Sequence, residues 1–361
     1  MSPLRVAIDC RLMQHRKAGI ANYTRRLIQA LARQSAAGLE ISALLDRRDS
    51  DTQWLAPQVR VLRAVTPAHH PYERVALAAE LAVLSRTAGF DVLHSPDFIT
   101  CDGPFKKVVT IHDLYFAEHP EVLDEDGARY YSRTRWSAQH ADRIIAVSAF
   151  TERDIVRLLG VSQRKITVVH EAHDNPESRR VGLLRPPEQP YVLFVGTFEP
   201  RKNVATLMQA LAQTSPEVRL IVVGESGWVE SEPSVVARAL GLHKRVHFAG
   251  RVGDDELDML YRNARMLVLP SLSEGFGLTV LEAMCRSIPV ICSDSGSLPE
   301  IAGDAAFLHA PRDARQLAAW ITRLWNDPAE RATLGERGMR RAAQFSWDLA
   351  AQQTLMVYRQ A

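Results

Sequence analysis

The stretch Leu267-Val-Leu-Pro-Ser-Leu-Ser-Glu-Gly-Phe-Gly-Leu-Thr-Val-Leu-Glu-Ala-Met284 decides the fold of the C-terminal half of this chain. Its first apolar residues predict a buried strand, Gly275 and Gly277 allow a tight turn, and the residues after them predict a helix. The N–H groups of Gly277, Leu278 and Thr279 at the helix start have no partner within the helix and can face an anion. The pattern therefore predicts a strand, turn and helix that bind a phosphate group.

Two carboxylates, Glu274 and Glu282, lie eight residues apart around this turn. Glu274 falls in the turn, and Glu282 lies about one helical turn inside the helix. One ligand could therefore place a diphosphate on the amides and a hydroxylated ring at each end, which is the shape of a sugar nucleotide. The alternative is an ordinary strand-to-helix connection with two solvated glutamates.

Three separated motifs resemble one enzyme family. Glu-Gly-Phe-Gly-Leu-x-x-x-Glu at 274–282, followed by Gly296-Ser-Leu-Pro-Glu-Ile-Ala-Gly303, resembles the Glu-x7-Glu signature of family 4 retaining glycosyltransferases. The stretch Tyr191-Val-Leu-Phe-Val-Gly-Thr-Phe-Glu-Pro-Arg-Lys-Asn203 resembles the start of that family's donor-binding domain, and Thr110-Ile-His-Asp113 is a third match. The chain as a whole resembles bacterial mannosyl- and rhamnosyltransferases of surface polysaccharide synthesis.

The resemblance implies the α/β fold called GT-B, with two doubly wound Rossmann-like domains facing a central cleft. We expect an acceptor-binding domain at 1–175, a nucleotide-sugar-binding domain at 190–345, and a C-terminal helix at 346–361 that crosses back to the first domain. A length of 361 residues suits two domains. The polar, Pro-rich stretch 171–189 is the predicted linker.

Apolar runs and helical patterns alternate along both halves, which predicts parallel sheets covered by helices. The predicted strands are 4–10, 39–45, 59–62, 92–94, 107–111, 143–147, 166–169, 191–195, 220–223, 246–248, 266–269, 290–292 and 306–308. The predicted helices are 19–33, 72–88, 126–140, 149–159, 203–213, 233–240, 254–262, 278–286, 297–302, 313–326, 328–343 and 346–359.

Two adjacent cations, Arg201 and Lys202, follow a predicted strand and Gly196. A diphosphate leaving group needs positive charge close to it, and Gly196 allows its close approach. We therefore expect Arg201 and Lys202 to donate to the diphosphate. The alternative is a surface pair after a proline turn.

The resemblance implies further donor contacts. The loop containing Gly224 is similar to a nucleotide-contacting loop, and the backbone at Arg251 and Val252 would pair with the base. Glu282 would accept hydrogen bonds from both ribose hydroxyls, and Phe276 belongs to the same donor-site turn.

In the first half, the resemblance implies three more site residues. Gly19 is similar to part of a glycine-rich loop, although the family's double glycine is reduced here to Ala18-Gly19. His112 and Asp113 follow a predicted strand, and the family's corresponding histidine lies beside the transferred sugar. The alternative for His112 is a core histidine with satisfied hydrogen bonds.

No metal site is predicted. The triplets Asp49-Ser-Asp51 and Asp124-Glu-Asp126 lie away from the donor motifs, where they suit solvated charge and acids at a helix start, respectively. Arg201, Lys202 and the helix start would neutralise the leaving diphosphate instead.

We expect a metal-independent retaining hexosyltransferase, with no cofactor and with GDP-mannose favoured as donor over a UDP-sugar. The acceptor would be a glycan or a lipid-linked glycan. Two other classes stay open: a GT-B sugar-nucleotide epimerase and a non-catalytic sugar-nucleotide-binding protein.

Composition and charge limit the partners. Apolar residues at 46%, charged residues at 24% and four scattered cysteines suit a protein of a reducing cytoplasm. Residues 1–170 carry 23 Lys and Arg against 19 Asp and Glu, so peripheral association with the inner membrane face stays open, and 129–136 would contribute to it. No pattern indicates nucleic acid binding.

Overall fold

The computed structural model describes residues 3–14, 19–34, 38–70, 72–123, 125–174, 187–225 and 233–361. The chain divides into two compact units. Unit 1 comprises Met1–Glu171 and Ser346–Ala361, and unit 2 comprises Ala172–Phe345. Most of the predicted linker, residues 175–186, lies outside the described residues.

Unit 1 is built on a parallel sheet of seven strands. The strands are β1 (Leu4–Asp9), β2 (Leu39–Asp46), β3 (Arg60–Ala64), β4 (Val92–Ser95), β5 (Lys106–Ile111), β6 (Arg143–Ala146) and β7 (Ile166–Val168). Their order is β3-β2-β1-β4-β5-β6-β7. The order reverses between β1 and β4, so their carboxyl ends open a crevice of the kind where such sheets bind ligands.

Helices cover both faces of this sheet. They are α1 (Gly19–Arg33), α2 (Glu73–Leu84), α3 (Tyr115–Glu118), α4 (Glu125–Tyr131), α5 (Arg133–His140), α6 (Ala149–Leu159) and the last helix of the chain, α14 (Trp347–Gln360). Alternation along β1 places Val6 and Ile8 in a core with residues of α1 and α14, whereas Ala7 faces a second core with Leu77 and Leu81 of α2.

Unit 2 contains a parallel sheet of six strands. They are β8 (Val192–Val195), β9 (Leu220–Val223), β10 (Val246–Gly250), β11 (Met266–Leu269), β12 (Val290–Ser293) and β13 (Ala306–His309). Its helices are α7 (Val204–Ala212), α8 (Pro233–Ala239), α9 (Asp254–Asn263), α10 (Leu278–Met284), α11 (Leu298–Ala302), α12 (Ala314–Asn326) and α13 (Pro328–Ala342). The order β10-β9-β8-β11-β12-β13 reverses between β8 and β11.

The predicted strands are all present in these two sheets, with ends that differ by at most two residues. Two predicted helices differ more. The helix predicted over 72–88 ends at Leu84 and continues as a wider turn at Ser85–Gly89. The helix predicted over 126–140 is divided at Ser132, whose hydroxyl donates to the Arg129 carbonyl and so competes with the helical backbone.

Several short helical turns were not predicted, among them α3 and the 3-10 turn Pro200–Lys202. Such turns are too short to show a helical period in the sequence. Within the described parts of the chain, no helix combines the length and the apolar character needed to span a bilayer.

Candidate active site

The two donor motifs of unit 2 meet where its strand order reverses. The loop holding Arg201 and Lys202 follows β8, and the loop holding Glu274 follows β11, the strand paired with β8. Both loops leave the carboxyl edge of the sheet, the edge at which parallel sheets bind ligands. Topology thus brings together residues more than seventy positions apart.

A buried ion cluster forms between these loops. Lys202 Nζ lies 2.6 Å from Glu274 Oε1, and Arg201 Nη1 lies 3.1 Å from Glu274 Oε2. The Ser271 hydroxyl also donates to Glu274 Oε1, at 2.6 Å. Glu274 is only 7% exposed, so these contacts replace the water that its carboxylate lost.

The cluster fixes the charge of Glu274. Burial alone would raise the pKa of this carboxyl, but Lys202 and Arg201 outweigh burial and hold its pKa at about 2. At neutral pH Glu274 is therefore an anion. It can orient a ligand and stabilise positive charge, but it carries no proton to donate.

Backbone contacts hold Glu274 in place. Both the N–H and the hydroxyl of Ser297 donate to the Glu274 carbonyl, at 3.0 and 2.9 Å. Gly296, with φ of 64°, lies so close that a Cβ there would be 2.7 Å from the Glu274 backbone N and O. Glycine is thus required at 296 by both conformation and space.

The cations are held equally firmly. Glu199 accepts from Arg201 Nε at 2.7 Å, and Asn203 ends their turn in the left-handed conformation, with φ of 54°. The Asn203 amide donates to the carbonyls of Pro270 and Pro311 at 2.9 and 2.6 Å. Asn203 thus ties the cation loop to the loop after β11.

Glu282 lies on α10 and is oriented by a chain of side chains. The buried Tyr261 hydroxyl donates to Glu282 Oε2 at 2.8 Å. The Arg286 guanidinium lies 5.1 Å from the centre of the Tyr261 ring, and Asp258, fully buried, accepts from Arg286 at 2.6 Å. A carboxylate held in this way is pre-oriented for a ligand with two hydroxyls.

Other residues predicted to bind the sugar nucleotide lie at the same edge of unit 2. Gly277 caps α10 with φ of 102°, and Leu278 and Thr279 form its first turn. Phe276 is buried against Phe345.

The loops after β8 and β9 also touch closely. A Cβ on Gly224 would lie 2.0 Å from the Gly196 carbonyl oxygen, so only glycine fits at 224. The Gly224 N–H donates to the Gly250 carbonyl at 2.9 Å. Arg251, directly after Gly250, is exposed, and Val252 is half-buried.

In unit 1, His112 follows β5 and is held on both ring nitrogens. Nδ1 lies 2.7 Å from Glu171 Oε1, and Nε2 lies 2.9 Å from the Pro96 carbonyl oxygen. A carbonyl oxygen can only accept, so Nε2 carries a proton. Burial lowers the pKa of His112, but the hydrogen bond and charge of Glu171 outweigh burial, so the net pKa is raised. Glu171 therefore stabilises the protonated form of the ring.

The other predicted residues of unit 1 have local roles in the structure. The Asp113 carboxylate accepts from the Tyr115 N–H at 3.2 Å, at the start of α3. Gly19 is the first residue of α1 and is exposed. Its predicted loop partner Ala18 lies outside the described residues.

Sequence reasoning missed the partners of these residues. Glu171 and Tyr261 are examples, since they lie 59 and 21 residues from His112 and Glu282 and no local pattern links them. Ser271 was also missed, although it lies only three residues before Glu274. It also missed the buried pair Arg11 and Glu73, 2.8 Å apart. The polar run His94-Ser-Pro-Asp97 at the carboxyl end of β4 was a sequence signal for buried polar groups in this part of unit 1.

No group of three or more His, Cys, Asp or Glu side chains is arranged to hold a metal ion in the described residues. In the first predicted triplet, Asp49 accepts from the Asp51 N–H, and Asp51 accepts from the Gln53 N–H, as in local turns. In the second, Asp124 lies outside the described residues.

Comparisons with known proteins cover both units of the chain. Residues 18–175 match the family described as Glycosyltransferase Family 4, and residues 176–341 match the one described as Glycosyl transferases group 1. The O-antigen chain mannosyltransferase B of Escherichia coli is 34% identical over 284 residues, 74% of each chain. The MMP alpha-(1->4)-mannosyltransferase of Mycolicibacterium hassiacum is 30% identical over 317 residues, 79% of this chain and 74% of the relative.

Among solved structures, the sucrose-phosphate synthase of Thermosynechococcus elongatus superimposes with a TM-score of 0.76 at 25% identity, covering 99% of this chain and 98% of that one. Three findings agree on the family. Family models match both units, one relative is more than 30% identical, and the fold is shared over nearly the whole length. The chain belongs to the family 4 glycosyltransferases and is a glycosyltransferase of the GT-B fold.

Proposed function

We propose that this glycosyltransferase moves a hexose from a nucleotide diphosphate sugar to a hydroxyl of a glycan or lipid-linked glycan, with retention at the anomeric carbon. Mannose or a related deoxyhexose is the favoured sugar. The observation that carries the proposal is the buried cluster of Glu274, Lys202 and Arg201 at the strand reversal of unit 2.

The cluster suits the reacting end of the donor. Lys202 has three N–H donors and one contact, with Glu274, among the described residues, so it can also bind a phosphate oxygen. Arg201 lies beside it, and the N–H groups at the start of α10 follow Gly277. These groups would bind the diphosphate and stabilise the charge that develops as it leaves.

The other end of the donor would lie along α10. Glu282, oriented by Tyr261, would bind the two ribose hydroxyls, and the backbone of 250–252 would contact the base. Two relatives are named mannosyltransferases, which favours GDP-mannose as donor. A UDP-sugar fits the same groups.

The charge of Glu274 constrains the mechanism. A carboxyl whose pKa is about 2 is ionised at neutral pH, so it is not a general acid. It would hold the transferred sugar and stabilise positive charge at its anomeric carbon. The leaving phosphate oxygen would then take the proton of the acceptor hydroxyl on the same face of the sugar.

His112 would contribute in unit 1, beside the transferred sugar. Its two N–H groups are engaged by Glu171 and the Pro96 carbonyl. Donation to a sugar hydroxyl would therefore require one of these bonds to be exchanged. The acceptor would bind unit 1, and the basic residues of 129–136 would support peripheral attachment to an anionic membrane.

The test compares the two glutamates. Glu274→Gln should lower kcat by about 100-fold or more with little effect on nucleotide affinity, because its partner changes charge in the transition state. Glu282→Gln should mainly raise the donor KM and the Kd of the free nucleotide, since a ribose contact is equal in ground and transition states. Steady-state kinetics and calorimetry with GDP and UDP measure both.

The reverse result, in which Glu274→Gln loses nucleotide binding and Glu282→Gln keeps it, would reverse the donor orientation. Two controls accompany the test. Nucleotide diphosphate should be released only when an acceptor is present, which separates transfer from epimerisation. Activity should survive excess EDTA; a loss restored by magnesium would count against neutralisation by Arg201 and Lys202 alone.

A further inference from the structure

A small cavity lined by both charged and apolar residues lies where the strand order of unit 1 reverses, at the carboxyl ends of β1 and β4. Its walls include Asp9, Arg11, Glu73, Ser95 and Asp97. Its volume is about 10 Å³, which is about the least that holds one water molecule. It therefore has room for a single hydroxyl group and not for a sugar ring or a phosphate.

The charged groups of this cavity are largely occupied by one another. Arg11, 2% exposed, donates to both carboxylate oxygens of Asp9, to Glu73 and to the Thr66 carbonyl. Glu73 also accepts from Arg133 at 2.9 Å. With Arg11 engaged in this way and acidic groups in the walls, the cavity disfavours an anion and suits a neutral group.

Two polar groups in the walls have hydrogen-bonding capacity that the described residues do not use. Ser95 is 1% exposed, and its Oγ has no hydrogen-bond partner among the described residues. Asp97 is also buried; Tyr130 donates to its Oδ1, and the described residues provide no partner for Oδ2. A hydroxyl group could accept from Ser95 and donate to Asp97, satisfying both at once.

The backbone beside these groups is strained. Phe98, next to Asp97, has φ of 47°, and His69, next to the wall residue Ala68, has φ of 65°. Conformations of this kind are unfavourable for residues with side chains, and proteins retain them mainly at functional sites. The strain agrees with a wall shaped for a ligand.

We propose that this cavity is a subsite for one hydroxyl group of a carbohydrate, bound between the Ser95 hydroxyl and the Asp97 carboxyl. The proposal rests on the function proposed above, and it names the part of unit 1 that recognises sugar. The hydroxyl can come from the acceptor glycan or from the hexose of the donor. Both present the same neutral chemistry, and the experiment separates them.

The experiment compares the wild type with Ser95→Ala in the full-length protein. Because Ser95 Oγ has no hydrogen-bond partner in the part of the chain that the structure describes, its removal breaks no bond seen there. If Ser95 were only structural, the substitution would leave ligand affinity unchanged. The control is Thr354→Val, which removes another buried hydroxyl of unit 1. Within the described ranges this hydroxyl has no hydrogen-bond partner, and it lies outside the cavity walls. Each protein is titrated with GDP, UDP, GDP-mannose, UDP-glucose and methyl α-D-mannopyranoside by calorimetry and ligand-observed NMR.

Ser95→Ala should weaken sugar binding by about 3- to 10-fold, the effect of one neutral hydrogen bond, and should leave GDP and UDP binding unchanged. Weaker binding of the pyranoside identifies the acceptor as the source. Weaker binding of a nucleotide sugar with unchanged nucleotide binding identifies the donor hexose. In either case, one monodeoxy analogue of the affected sugar should bind the wild type more weakly than the parent sugar does. Ser95→Ala should then bind this analogue with the same affinity as the wild type does.

The subsite is overturned if Ser95→Ala binds every sugar as the wild type does, if Thr354→Val shows the same loss, or if the wild type binds the nucleotides but no sugar. Failure of the wild type to bind either GDP or UDP would count against the proposed function itself. The two failures are therefore distinguishable.

Discussion

Glu274 makes the stability of unit 2 depend on acid. Its pKa in the folded protein is about 2, below its usual 4.5, so the folded state is stabilised above the pKa of the unfolded state. That stabilisation is lost as pH falls from about 4.5 towards 2. By linkage, this difference in pKa corresponds to about 3 kcal/mol of folding free energy. At low pH, Lys202 and Arg201 would remain buried beside a neutral carboxyl.

We therefore expect Glu274→Gln to lower the free energy of unfolding at pH 7 and to flatten its decrease between pH 5 and pH 2.5. Urea unfolding over this pH range measures both effects. Glu256→Gln, a change at an exposed glutamate of the same unit, is the control. If Glu274→Gln kept the wild-type acid dependence, the carboxylate would not be held by its two cations as described.

The same residue shows how far sequence reasoning reaches. Glu274, Arg201 and Lys202 were each found from local patterns of strand, glycine and charge. Their direct pairing was not predicted, because Glu274 lies 72 residues from Lys202 and only the strand order brings the loops together. Because of this pairing, a variant at either cation leaves the buried carboxylate less compensated and should lose stability as well as diphosphate binding.

At the scale of elements, two loops of unit 2 depend on glycine for different reasons. Gly296 has φ of 64° and lies against the backbone of Glu274, where a Cβ would be 2.7 Å from two backbone atoms. Gly241 has a similar φ of 69° but nothing within 4 Å of its Cβ position. The two positions therefore separate the cost of conformation from the cost of contact.

Gly241→Ala should cost about 1 kcal/mol, the price of the left-handed conformation for a residue with Cβ. Gly296→Ala should cost clearly more and should also lower kcat, because the Glu274 loop must move and a displacement of about 1 Å is enough to impair catalysis. Thermal unfolding and steady-state kinetics of both variants test this. Equal effects at the two positions would show that the close approach at Gly296 is unimportant.

Strands were more predictable than partners for a physical reason. A buried parallel strand must be apolar on both faces, and this leaves a continuous run such as Met266–Leu269 in the sequence. Side-chain partners such as Tyr261 with Glu282, or Glu171 with His112, depend on how helices and loops pack across the sheet. One sequence contains no periodic signal for such contacts, so the candidate residues were predictable and the network that orients them was not.

At the scale of the whole molecule, residues 346–361 belong to the same unit as residues 1–171. The last helix, α14, packs beside α1 and buries Ala351, Leu355 and Tyr358 in the core of unit 1. The Tyr358 hydroxyl also lies 2.7 Å from His94 Nδ1 on β4. Unit 1 thus combines residues that precede unit 2 with residues that follow it, so its stability depends on both segments.

Two neighbouring residues of α14 test this dependence. Leu355 is 5% exposed and Met356 is 52% exposed, so Leu355→Ala should destabilise unit 1 by about 2–5 kcal/mol and Met356→Ala should have little effect. Hydrogen exchange should show faster exchange in β1 and α1 of Leu355→Ala, while β8 and β11 keep their wild-type protection, because cooperative units open separately. If β8 and β11 lost as much protection as β1, α14 would support both units alike, contrary to its burial in the core of unit 1.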